Sequence, residues 1–130
     1  MLILFGACEK EDGLVMDAIC TVQAMRNELN HFNEYLENMY GCSFGLRAGI
    51  NYGPAIIGYF STGPMSKVAA IGDTVNLASR IEHANKQFDS QLLISESAYE
   101  HAKGHVKISG SHRSQLKGKT GIYTLYEVEI

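Results

Sequence analysis

The sequence predicts an α+β sandwich, a sheet with helices packed on one face. Three observations carry that prediction. An apolar stripe with alternating spacings of three and four runs through residues 12–40. A second, shorter segment of helical period begins at Asp73 or Thr74. Between and after them lie short apolar or alternating runs joined by turns rich in Gly and Pro, the pattern of strands with tight connections.

In chain order, Met1-Leu2-Ile3-Leu4-Phe5 closed by Gly6 reads as a buried strand. Val15, Ala18, Val22, Met25, Leu29, Phe32, Leu36 and Met39 then form the stripe of a long helix, with Asp17, Asn27, Glu28, His31, Glu34 and Glu37 off it. The Met and Phe residues of the stripe are expected in the core, and Gly41 supplies the stop. Strands are expected over residues 43–50, 55–60 and 67–71. Gly53-Pro54 and Ser61-Thr62-Gly63-Pro64 provide the turns between them. The second helix runs to about Lys86. Strand candidates at 91–95 and 106–109 flank a short helix over 96–103, and residues 120–130 alternate as a final strand.

The 130 residues suit one domain over 1–130, large enough to bury roughly two-thirds of its unfolded surface. With 11 Lys and Arg against 14 Asp and Glu, the net charge of −3 argues against nucleic acid or an anionic membrane as the main partner. No apolar run approaches the roughly 20 residues that span a bilayer. The first residues lack a basic lead and are followed by Glu9-Lys10-Glu11-Asp12, unlike a signal peptide. Cys8, Cys20 and Cys42 are odd in number and without C-x-x-C spacing, which points to a reducing, cytoplasmic setting and against a thiolate zinc site. His101 and His105 are four apart, but Gly104 lies between them and a solvated loop is the simpler reading.

The chemistry is expected on the second helix. Leu77, Ala78, Ile81 and Ala84 share the side that buries. Asn76, Ser79, Arg80 and His83 share the other. Asn76 and Arg80 are adjacent on the helix surface, and Gly72-Asp73-Thr74 upstream allows close backbone approach and an Asp or Thr cap. An amide beside a permanently charged fork suits a polyphosphate-like ligand, against the plainer reading of a solvated helix face.

Leu46-Arg47-Ala48-Gly49-Ile50-Asn51-Tyr52-Gly53, then Gly58, then Ile71-Gly72-Asp73-Thr74-Val75-Asn76-Leu77-Ala78-Ser79-Arg80-Ile81-Glu82 resemble the catalytic domain of class III nucleotidyl cyclases. So do Leu116-Lys117-Gly118-Lys119, Tyr123 and Tyr126-Glu127-Val128, in the same order and over nearly the whole chain. The resemblance implies a ferredoxin-like sandwich with a mixed or antiparallel sheet. It also implies formation of a 3′,5′-cyclic nucleotide and pyrophosphate from ATP or GTP at sites shared between two subunits. Asn76 falls on the ribose-positioning Asn, Arg80 on the Arg that stabilises charge at the α-phosphate, and Lys117 on the phosphate-binding Lys. Lys117 also reads as a solvated turn residue.

By the same resemblance, the family's N-terminal third is missing. Both aspartates that hold Mg²⁺ or Mn²⁺ precede the strand matching residues 1–6, so none of these residues is expected to bind metal. Asp12 and Asp17 belong to the long helix and its entry. The base-recognising Lys is also expected upstream, and Ala69 stands where adenylate cyclases carry an Asp or Thr. A methyl group neither donates nor accepts, so base selectivity is unsupported, although the adenylate activity ranks ahead of the guanylate one. Ser61 replaces a frequent Gly, and Met65 a frequent basic residue.

Two readings follow. In one, the chain supplies the Asn–Arg half of a composite site, in a homodimer or with a complementary cyclase subunit. In the other, it is a non-catalytic cyclase-like module that dimerises and regulates.

Overall fold

The long amphipathic stripe folds as α1 (Leu14–Tyr40), closed by Gly41, whose N–H donates to the Glu37 carbonyl at 3.1 Å. The remaining elements are β1 (Ala48–Ile50), β2 (Ile56–Thr62), β3 (Met65–Ile71), α2 (Asp73–Phe88), β4 (Leu92–Ser95), α3 (Glu96–Ala102), β5 (Ile108–Ser114) and β6 (Tyr123–Val128). This computed structural model describes the backbone of residues 1–7, 12–62 and 65–130, with side chains outside 60–67. The Gly63-Pro64 turn, the Cys8 thiol, Glu9-Lys10-Glu11 and the side chains of Ser61 and Met65 lie outside the described residues.

Four strands form a mixed sheet in the order β1-β4-β6-β5, parallel between β1 and β4 and antiparallel elsewhere. β2 and β3 form a separate antiparallel hairpin, with Gly58 opposite Ala69. The hairpin thus leaves the single sheet expected from sequence and stands as an arm beside it.

Helices cover both faces of the four-stranded sheet, not one. Val15, Ile19 and Val22 of α1 join Ala98 and Ala102 of α3 against Leu92, Ile94 and Val128. On the opposite face, Ile81 and Ala84 of α2 pack on Leu93 and Leu125, with Leu116 beside them. The reason is visible in β4: Leu92-Leu93-Ile94 is an uninterrupted apolar run, and all four residues of the strand are buried. A run without alternation is what a strand covered on both faces requires.

Three further expectations are corrected. Phe32 and Met39 are 49% and 61% exposed, so these two residues of the α1 stripe are not core, although Leu36 between them is buried. The helix has 27 residues, about 40 Å at 1.5 Å per residue, longer than any strand here can cover. Residues 43–47 do not join β1 either. The Asn33 side chain donates to the Phe44 carbonyl and accepts from the Phe44 N–H, both at 2.8 Å, pinning that stretch to α1. Residues 1–6 form no strand, and no described strand hydrogen-bonds to them. They lie along a cleft of about 900 Å³ shared with α1, β1 and α2.

Candidate functional site

The helix α2 carries the site, and close packing sets its position. A Cβ on Gly49 of β1 would lie 2.2 Å from the Glu82 backbone nitrogen and 2.7 Å from the Ala78 carbonyl oxygen. Only the absence of a side chain lets the strand meet the helix backbone there. At the far end, Asn85 is fully buried. Its amide donates to the carbonyls of Ala48 at 2.8 Å and Glu82 at 3.0 Å and accepts from the Ser90 hydroxyl at 2.9 Å.

At its start, α2 is tied to the loop after β1. The Thr74 hydroxyl donates to the Pro54 carbonyl at 2.6 Å, and Asn51 donates to the Thr74 carbonyl at 3.0 Å. Ser97 of α3 holds the same loop through the Tyr52 carbonyl at 2.8 Å. The expected Asp or Thr cap is not made. Gly72, which has no side chain to cap with, is the N-cap residue, while the Thr74 hydroxyl bonds Pro54 and the Asp73 carboxylate pairs with Lys119.

Between these anchors, Asn76 is exposed and Arg80 half-buried. Arg80 donates to the Gly118 carbonyl at 3.2 Å, which brings the turn of residues 116–119 against the helix. That turn is closed by a bond from the Lys119 N–H to the Leu116 carbonyl at 3.0 Å and rooted by buried Leu116. Lys117 on it is exposed. The structure therefore brings Arg80 and the Lys117 turn together on the Asn76 face, and leaves half-buried Ala69 on the hairpin. Spacing did not reveal Lys119, which pairs with Asp73, or Asn85; a second Lys two residues after Lys117 and an amide within the buried side of α2 were the available signals.

His101 does not join His105 at a metal site. It bonds the Ser97 carbonyl at 2.9 Å and packs on the Tyr52 ring with centroids 3.9 Å apart.

The helix thus presents an amide and a guanidinium beside a Lys-bearing turn, next to a mixed sheet with an appended hairpin. The model of the adenylate and guanylate cyclase catalytic domain matches residues 5–128, and the chain belongs to that family. Adenylate cyclase 1 of Rhizobium meliloti (strain 1021) is 31% identical over 105 residues, 81% of this chain but 16% of its own length. The adenylyl cyclase CyaB from P. aeruginosa superposes with a TM-score of 0.85 at 25% identity, over 97% of this chain and 65% of its own. The guanylate cyclase domain of RhGC from Catenaria anguillulae, solved in complex with GTP, gives 0.74 at 25% identity over 96% and 64%. The chain thus spans less than two-thirds of each.

Members of this family use Mg²⁺ or Mn²⁺. Among the described residues no group of three or more His, Cys, Asp or Glu side chains gathers where a metal ion could bind. No described helix is long and apolar enough to cross a membrane.

Proposed function

We propose that this chain is a single, partial cyclase catalytic domain that supplies the Asn–Arg half of a composite site, completed by a second subunit. The observation that carries the reading is the joint placement of Asn76, Arg80 and the Lys117 turn on one accessible face of α2. In this reading the 3′-hydroxyl of the nucleotide attacks the α-phosphorus and pyrophosphate leaves. Asn76 orients the ribose. Arg80, with the N–H donors that its bond to the Gly118 carbonyl leaves free, neutralises charge gathering on the α-phosphate oxygens. Lys117 holds the outer phosphates. Phosphoryl transfer asks for this positioning and neutralisation more than for covalent chemistry.

ATP is the substrate favoured over GTP, because the Rhizobium meliloti relative is an adenylate cyclase, while the Catenaria anguillulae domain with GTP keeps the second nucleotide in play. A cytoplasmic setting is supported by the free, exposed thiols of Cys20 and Cys42. The chain alone forms no cyclic nucleotide in this reading, which assigns the metal-binding half of the site to the second subunit.

The test mixes this chain with a cyclase subunit that keeps both metal aspartates but lacks its own Asn and Arg. Cyclic nucleotide should form in the mixture and in neither component alone. Turnover by this chain unaided would overturn the half-site reading. A silent mixture in which the two subunits demonstrably associate favours the non-catalytic dimerisation module, to which the methyl group of Ala69 also points.

A further inference from the structure

Asp73, Asn76 and Arg80 follow one another at spacings of three and four, so they share one face of α2. The turn of residues 116–119 is fastened to this face on either side of Asn76. Toward the start of the helix the Lys119 ammonium pairs with the Asp73 carboxylate. Two turns further on, Arg80 holds the Gly118 carbonyl at 3.2 Å.

Lys119 is not placed as a surface lysine usually is. Its side chain is 15% exposed, against 75% for Asp73. Holding a long side chain under cover costs the rotamer freedom that a surface lysine keeps. Arg80, whose Nη2 lies 3.4 Å from where a Gly118 Cβ would be, adds a like charge on the other side of that residue. An ion pair with one partner in solvent adds little to stability. Stability therefore does not explain why Lys119 is held there; position does. With both fastenings made, the turn cannot swing away from Asn76, and Lys117 stands at a set place beside it.

We propose that Asp73 and Lys119 form a latch that fixes the 116–119 turn on α2, making both of them positioning residues for Lys117 and Arg80. What Lys117 and Arg80 then do rests on the composite-site reading, but the latch is testable without it.

The first measurement is amide hydrogen exchange of residues 117–119 in the full chain. Lys119→Gln and Asp73→Asn should each speed exchange of the Lys119 N–H by about two- to fivefold, the scale of a surface ion pair acting on local opening. The double variant should be no faster than either single one, Lys119→Arg should exchange at the original rate, and Leu93 and Leu125 in the core should not change. Unaltered exchange in both single variants, or effects that simply add, would overturn the latch. The second measurement uses the mixed cyclase, where Lys119→Gln and Asp73→Asn should lower kcat by roughly tenfold with little change in KM, because misplacement acts on the reacting geometry. A raised KM for Lys119→Gln with Asp73→Asn silent would overturn positioning in favour of direct phosphate contact. Should the unsubstituted mixture make no product although the two subunits associate, the composite-site reading fails and the exchange result alone decides the latch.

Discussion

Gly118 has φ of 72°, a left-handed conformation that glycine adopts without strain. Replacing it with Ala should cost about 1 kcal/mol from the backbone alone. The new Cβ would sit 3.4 Å from the Arg80 Nη2, an ordinary contact that leaves the guanidinium in place. Urea unfolding of Gly118→Ala should show that loss as a lower midpoint with an unchanged slope. The same assay separates Asn85 from Asn76. Asn85→Ala leaves the Ser90 hydroxyl without its acceptor inside the protein and should cost about 1–3 kcal/mol. Asn76→Ala, at an exposed position, should stay within about 0.5 kcal/mol. An Asn76 variant as destabilised as the Asn85 one would make Asn76 structural. The face shared by Asn76 and Arg80 was legible because helical period alone sets it. The pairing of Lys119 with Asp73 was not, because it depends on a turn that arrives from 46 residues away.

At the scale of elements, contact between β1 and α2 decides whether the site helix is in place. Gly49→Ala would put a methyl group 2.2 Å from the Glu82 nitrogen, a backbone atom that cannot swing aside. The variant should lose about 3 kcal/mol or fail to fold, at the upper end of overpacking costs, and circular dichroism during heating reads either result. Along α1, Ile19→Ala should cost about 2–5 kcal/mol because Ile19 is 1% exposed. Phe32→Glu, beyond the sheet's edge, should cost no more than about 0.5 kcal/mol. α1, α2 and α3 were legible to within a few residues because their periods are long or their caps local. β1 and β5 were read less well: reciprocal bonds from Asn33 shorten the approach to one, and the alternating exposure of polar residues extends the other to Ser114. Covering of both sheet faces could have been read from Leu92-Leu93-Ile94, whose lack of alternation is its signature.

The whole molecule carries an apolar arm with little of its own to cover it. Ile56 and Ile71 on one face of the β2–β3 hairpin, and Tyr59 and Val68 on the other, are all more than half exposed, apolar surface of the kind that marks association. Sedimentation at tens of micromolar should therefore show dimers or larger species rather than the 14.3 kDa chain alone. Ile56→Lys with Tyr59→Lys should shift the population toward that monomer while leaving the far-ultraviolet spectrum unchanged. Association is also what a site shared between subunits requires, and the role of Arg80 in such a site is the claim on which the account turns. The most direct measurement is single-turnover cyclisation by this chain mixed with the aspartate-bearing subunit, comparing Arg80→Ala with the unsubstituted chain and following nucleotide binding in parallel. Loss of one preorganised donor to developing charge should lower the chemical rate by about ten- to a thousandfold and weaken nucleotide binding far less. A restored rate indifferent to Arg80→Ala would contradict the account, and Arg80 would be only the residue that holds the Gly118 carbonyl.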